Sequence, residues 1–382
     1  MRGGHGPMKL RSLDLEEKAF VGICYPSKRL FRNHRRRFMP ASTTKLYTSW
    51  LACESLGEDH AFHSEYAVAG RTLYLRAMGN PLLSEDALRP LVEDLQGKAI
   101  EEVVLSRTFV GAPYYPPTWA IGDIREAWGA PVSEVCFHEN FGVAEASRGA
   151  ALTPSGSYYS VRRVDGLKQP SLLGRVVSLP PGFTGRFEFP IVDPEDFLVR
   201  WIAERIDATG ARKRIGKFRG TPIPFAHVAL RDVLRTMNKT SSNLLAELLL
   251  VHAAHALGKP LDYEQPQAAY ADVLRPIGVE ARLYDGSGVS RYNLVSPSGT
   301  VALLEAATKY PSIPDSLPVG GKDGTLANRK LPRRIRAKTG SLTGVQALAG
   351  YDDGEPFSIM INHGPADERE MIEAIDAIVR GR

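Results

Sequence analysis

Pro40-Ala41-Ser42-Thr43-Thr44-Lys45-Leu46 leads into a largely apolar run from Leu46 to Leu56, which Gly57 closes. These are the start and stop signals of a helix. Residues i and i+3 share a helix face, so the amine of Lys45 can reach the hydroxyl of Ser42. A hydroxyl at a helix N-terminus also sits where backbone N–H groups and the macrodipole favour developing negative charge. The same spacing fits a plain N-cap serine followed by a surface lysine. Leu46, Trp50, Leu51 and Ala52 argue otherwise, because they imply a buried helix in which an unpaired lysine would be costly. Lys45 therefore calls for partners.

Two later motifs supply them. Ser241-Ser242-Asn243 precedes Leu244-Leu245 at another helix start, and Lys338-Thr339-Gly340 enters an apparent strand. Taken singly, Ser241 or Asn243 could be a helix cap and Lys338 a solvated strand residue. Their co-occurrence in this order is what carries weight, since the set S-x-x-K, S-D-N, K-T-G is known from β-lactamases and penicillin-binding proteins. A lysine acts as a base only if its pKa falls far below about 10.4. Burial and a second cation both lower it, and Lys338 is the candidate for that cation. Serine acyl transfer follows as the expected chemistry.

Around these motifs, Ala19 to Tyr25 reads as a strand ending at Pro26. From about residue 66 to 220, short β-like pieces (71–76, 102–105, 158–164, 175–178) alternate with Gly/Pro punctuation. Helical patterns at 85–95 and 194–209 are embedded among them. Helical character returns at 228–237 and 243–257. The chain then ends in strands at 335–338, 346–351 and 357–361 and an amphipathic helix at 368–379. The economical arrangement is a helix-plus-sheet domain from residues 1–66 and 220–382, with 67–219 inserted as a β-rich domain.

Composition excludes several classes. A chain of 382 residues with 43% hydrophobic and 24% charged residues builds a buried core and more than one domain. The net charge of +5 includes Arg35-Arg36-Arg37 and the stretch Arg329 to Arg336. Neither has the interleaved aromatics of a nucleic-acid surface, so solvated basic faces, or attraction to an anionic envelope, are expected. Cys24, Cys53 and Cys136 make neither a disulfide framework nor a metal set, and Cys53 falls on a buried helix. No metal or cofactor is expected. There is no apolar run long enough to span a bilayer, and Met1 to Pro7 lacks the apolar segment of a signal peptide.

The resemblance becomes specific at this point. The segment 40–46 resembles the nucleophile segment of the class C low-molecular-mass penicillin-binding proteins, the D-alanyl-D-alanine carboxypeptidase/endopeptidase family. Lys338 to Val345 with Leu348 to Tyr351 resembles that family's third motif. Asp285-Gly286-Ser287-Gly288-Val289-Ser290-Arg291 with Asn293 and Pro297 resembles its D-G-S-G-L-S-R segment. Asp323 to Leu326, Gly79 to Leu82, Gly129 to Ser133 and Glu139 to Phe141 are similar to further stretches. The likeness runs from about residue 18 to 379. Ser242 and Asn80 stand where the family has Asp, and the insert is short between Phe141 and Pro194.

The resemblance implies an α/β (α+β) fold, a transpeptidase/β-lactamase-like domain of helices around an antiparallel sheet with an inserted β-rich region. A third subdomain would be reduced or missing. It further implies D-Ala-D-Ala carboxypeptidase action, with or without endopeptidase action, on peptidoglycan peptides, and slow release of bound penicillins. Ser42 is then the acylated nucleophile, Lys45 its base, and Ser241 a proton relay to the leaving amine. Asn243 would hold Lys45 and the substrate amide, while Lys338 and Thr339 meet the substrate carboxylate. Gly340 leads to Ser341, whose backbone N–H would pair with that of Ser42 as an oxyanion hole. Such a substrate implies action outside the cytoplasm.

Rival readings lack their signatures. A class A β-lactamase uses a glutamate with a positioned water, usually in an E-x-x-L-N segment, and the chain has no Leu-Asn pair. An α/β-hydrolase needs G-x-S-x-G, and a zinc hydrolase needs more than His138-Glu139 or His252 with His255. A non-catalytic wall sensor would not need the full set of reactive side chains.

Overall fold

The computed structural model describes residues 19–77, 79–108, 110–146, 150–153, 157–208, 210–259, 267–365 and 367–381. The Met1 to Pro7 segment lies outside them. Contacts divide the chain into two compact units. The first is Met1–Glu58 with Leu234–Ser242 and Leu261–Arg382; the second is Asp59–Val233 with Asn243–Pro260. These boundaries differ from the expected 66/67 and 219/220. The reason is pairing: strand Ala61–Ala69 lies between Thr72–Arg76 and Ile223–Ala229 in one sheet, so its neighbours go with it.

The first unit is built on an antiparallel sheet in the order Ile335–Leu342, Val345–Asp352, Glu355–Asn362, Phe20–Tyr25, Leu30–Arg32. The two chain ends thus meet through Phe20↔Asn362 and Ile23↔Ile359. One face buries Val21, Ile23, Ile335, Ala337, Leu348, Ile359 and Ile361 against Met371, Ile375, Ile378 and Val379 of the terminal helix Glu368–Arg380. That helix is amphipathic, which is why its spacing was legible. Helix Thr44–Leu56 is different in kind. Every residue from Thr44 to Cys53 is buried, so it is a central helix with no solvent face. Helix Pro297–Ala307 starts at Ser296, whose hydroxyl accepts from Gly299 N at 3.0 Å, with Pro297 in the first turn.

The second unit holds a mixed sheet in the order Arg212–Ile215, Glu102–Leu105, Thr72–Arg76, Ala61–Ala69, Ile223–Ala229. The first three strands are parallel and the last two antiparallel to their neighbours. Helices Glu85–Leu95 and Pro194–Arg205 cover it with Leu88, Leu91, Leu95, Phe197, Trp201 and Ile202. Two small three-stranded sheets complete the β-rich part. The helix expected at 228–237 begins at Leu230, because Val228 and Ala229 pair with Phe62 and Ala61. Asn140 is a clamp: its amide donates to Pro131 O and Val135 O and its Oδ1 accepts from Phe137 N.

Helix Asn243–Ala256 belongs to this unit. Its His252 ring meets Phe62 edge-on, and its Nε2 lies 3.0 Å from Gly79 O. Burial, with weaker contributions from His60 and His255, lowers the imidazole pKa to about 4 against partial support from the Gly79 carbonyl. A base whose folded pKa lies below its unfolded value near 6.5 leaves the unfolded state holding more protons between the two. The helix is therefore expected to lose up to about 3 kcal/mol of support as pH falls from 6.5 to 4. Replacing His252 with Gln should flatten that part of the stability profile. Denaturant titrations at pH 7 and pH 4.5 check this; parallel losses in both proteins would contradict it.

Candidate active site

Ser42 lies in a 3-10 turn, Ala41–Thr43, that runs directly into helix Thr44–Leu56. The turn is fastened from inside: Thr43 N and Thr43 Oγ1 both donate to Pro40 O, at 3.2 and 2.7 Å. Ala41 sits at φ +48°, a left-handed value that costs a non-glycine residue energy. One turn on, Lys45 Nζ donates to Ser42 Oγ at 3.0 Å and to Ser287 O at 2.7 Å. The lysine is fully buried.

The second lysine comes from the edge strand Ile335–Leu342. Lys338 Nζ donates to Ser241 Oγ at 2.8 Å and to Thr339 O at 2.9 Å. Its pKa falls well below the ordinary lysine value, first through burial and then through the charge of Lys45. Ser241 occupies a left-handed position, φ +62°, between helix Leu230–Thr240 and Asn243. Gly340 shows how tightly the strand lies on the serine turn. A Cβ there would stand 2.6 Å from Pro40 O and 3.2 Å from Ser42 N. Only a residue without a side chain fits.

The first unit thus brings together Ser42, Lys45, Ser241, Lys338, Thr339, Gly340 and Ser341. Thr339 Oγ1 donates to Thr325 Oγ1 at 2.8 Å, and Ser341 Oγ accepts from Gln346 Nε2 at 2.7 Å and lies 3.2 Å from Glu368 Oε2. Asn243 is the first residue of its helix in the second unit, where its side-chain amide donates to Trp128 O at 3.1 Å.

Sequence reasoning gave no role to Ser287, whose contribution is a backbone carbonyl, or to Asp285, which holds the turn around it. Asp285 Oδ1 accepts from Gly288 N and Asn293 Nδ2 at 2.9 and 2.6 Å, and Oδ2 accepts from Ser290 N at 2.6 Å. The D-G-S-G segment was the available signal. Thr325, in the Asp323 to Leu326 segment, gains its role only through its contact with Thr339.

The sequence profile of the D-Ala-D-Ala carboxypeptidase 3 (S13) family matches residues 24–163 and 226–381. The chain belongs to this family. It is 26% identical over 402 residues to a D-alanyl-D-alanine carboxypeptidase of Actinomadura sp. (strain R39), covering 87% of this chain and 74% of that protein. It is 33% identical over 172 residues to carboxypeptidase DacB of Mycolicibacterium smegmatis, covering 40% of this chain but only 37% of that protein. Penicillin-binding protein 4 from Haemophilus influenzae has the same fold, with a TM-score of 0.78 at 20% identity over 97% of this chain and 98% of that one. The chain is thus, by family, a serine-type D-Ala-D-Ala carboxypeptidase, and its transpeptidase-like α/β architecture is as expected. No helix among the described residues is long and apolar enough to cross a membrane.

Lys338 supplies a test of the electrostatics. Its folded pKa is lowered, so the unfolded state binds more protons between that value and about 10.4, and stability rises with pH across this window. Substituting Lys338→Met should remove that rise. It should also stabilise the protein at pH 7 by on the order of 1–2 kcal/mol, since a buried charge is exchanged for an apolar chain. Chemical denaturation at pH 7 and pH 9.5 measures both effects; a less stable variant with an unchanged slope would refute the account.

Proposed function

We propose that this protein hydrolyses D-alanyl-D-alanine peptides of peptidoglycan through an acyl-enzyme on Ser42. The observation that carries the reading is the 3.0 Å contact between Ser42 Oγ and Nζ of the fully buried Lys45, on which the charge of Lys338 also acts. Lys45 takes the hydroxyl proton as Ser42 Oγ attacks the penultimate D-alanine carbonyl. Burial disfavours charge on this lysine, and Lys338 works against it further. The backbone N–H groups of Ser42 and Ser341 receive the oxyanion. As the peptide C–N bond breaks, Ser241 passes a proton to the departing D-alanine amine. Water then attacks the ester, and Ser42 recovers its proton.

Lys338 and Thr339 are assigned to the substrate carboxylate, and Asn243 to the substrate amide and Lys45. Strand Ile335–Leu342 is at the sheet edge, a position from which an extended peptide can be held by main-chain hydrogen bonds. Penicillins, as acylating analogues of this substrate, are expected to label Ser42 and leave slowly. The substrate places the site of action outside the cytoplasm.

A fluorescent penicillin should label the wild type and not the Ser42→Ala variant. Lys45→Arg should lower the labelling rate by roughly 10³-fold or more. Mass spectrometry of purified muropeptides after incubation reads the activity itself. Loss of one alanine means carboxypeptidase action, splitting of dimers means endopeptidase action, and unchanged muropeptides would overturn the proposal. Labelling without D-alanine release would favour a wall sensor, and rapid penicillin turnover a β-lactamase.

A further inference from the structure

We infer that Asp285 is a positioning residue for Lys45: it shapes the turn Asp285–Gly288 so that the Ser287 carbonyl fixes the direction in which the lysine amine meets Ser42. The kinetic side of this inference rests on the acyl-enzyme reading; the geometric side does not. Asp285 is 1% exposed, and its carboxylate is spent within its own loop. Beyond the bonds from Gly288 N, Ser290 N and Asn293 Nδ2, Ser287 Oγ donates to Oδ2 at 3.3 Å. A carboxylate gathering donors in this way turns the carbonyls of the loop outward.

Those carbonyls all find donors beyond the loop. Tyr270 OH donates to Asp285 O at 3.3 Å, Thr48 Oγ1 to Gly286 O at 2.6 Å, and Lys45 Nζ to Ser287 O at 2.7 Å. Thr48 lies one turn beyond Lys45, so the same helix face is gripped twice. The far side of the loop is pressed against the nucleophile's turn. Gly288, at φ +90°, approaches so closely that a Cβ would stand 1.9 Å from Ala41 O. The loop therefore touches both the residue before Ser42 and the amine of Lys45.

With one N–H committed to Ser287 O, the rotation of the amine is restricted and a second position is directed toward Ser42 Oγ. The carbonyl also favours the ammonium formed when Lys45 takes the serine proton. Lys338, from the edge strand, is a charged side chain that acts on this amine. Asn at position 285 keeps the shape of Asp but turns an NH₂ toward a donor, and it removes a buried negative charge. Both effects weaken the hold on the ammonium, so Lys45 should release its proton at lower pH.

The test has two arms. In the first, lysines are labelled with ¹³C at Cε in Ser42→Ala protein, and the Lys45 signal is identified by its loss in Lys45→Arg. Adding Asp285→Asn should move the Lys45 titration midpoint down by about one pH unit. In the second, the acylation rate by fluorescent penicillin should fall about 30-fold in Asp285→Asn, with the acid limb of its pH profile, which reports the base, shifted toward lower pH. Thr48→Val, which releases Gly286 O while keeping the carboxylate, should give smaller shifts of the same sign and serves if Asp285→Asn does not fold.

A purely structural role would reduce the fraction of labelled molecules without moving either the midpoint or the limb. An unmoved Lys45 midpoint, with acylation within threefold of wild type, would overturn the inference. A moved midpoint in a protein that penicillin fails to label would support the positioning role while refuting the acyl-enzyme.

Discussion

Two lysines with their amines in one interior are the constraint to which the first unit answers. Each ammonium taken from water carries a penalty of several kcal/mol, and like charges add to it. The described direct contacts of both amines are to neutral oxygens. Lys45 meets Ser42 Oγ and Ser287 O, and Lys338 meets Ser241 Oγ and Thr339 O. Neutral acceptors in direct contact satisfy N–H groups without pinning the positive charge as firmly as a carboxylate at the same distance would. The site thus keeps its protons mobile.

Meeting that constraint requires four segments distant in sequence to converge. The serine turn, the Ser241 corner, the Asp285 loop and the edge strand each bring one oxygen or one lysine. Several of these segments are held in conformations that would not persist alone: Ala41 and Ser241 are left-handed, and Gly288 and Gly340 touch backbone that a methyl group would displace. Strain of this kind survives only where the surroundings over-determine it. Here the surroundings are the buried helix Thr44–Leu56 and the antiparallel sheet.

Much of this was legible in the sequence. The Ser42/Lys45 spacing, the apolar run behind it and the Lys338 segment pointed to side chains that the first unit brings together, and the C-terminal strands and helix fell close to their expected places. What stayed hidden depended on partners far along the chain. Strand Ala61–Ala69 has no clean alternation, and it exists because Ile223–Ala229, some 160 residues later, pairs with it. That same pairing moved the domain boundary and shortened the helix expected from Val228. The Ser287 contribution is a main-chain oxygen, to which no side-chain pattern points. Helix Pro297–Ala307 has its cues in Ser296 and Pro297, of which the resemblance uses Pro297 alone.

The exposed ends of the central sheet have a bearing on solubility. A free strand edge is a template for pairing with other chains, and proteins blunt such edges with short strands, arginine or lysine, and charges that point inward. One edge here is Leu30–Arg32, three residues long and ending in arginine. The other is Ile335–Leu342, whose first part is covered by Pro318–Gly320 through Ala337 N to Pro318 O and Gly320 N to Ile335 O, and which carries exposed Arg336. A neighbouring chain that tried to add itself along this strand would have to cover the charge of Arg336. The strand proposed to receive a peptide is thus guarded by the charge of Arg336 against pairing with other chains, so recognition and resistance to aggregation draw on one edge.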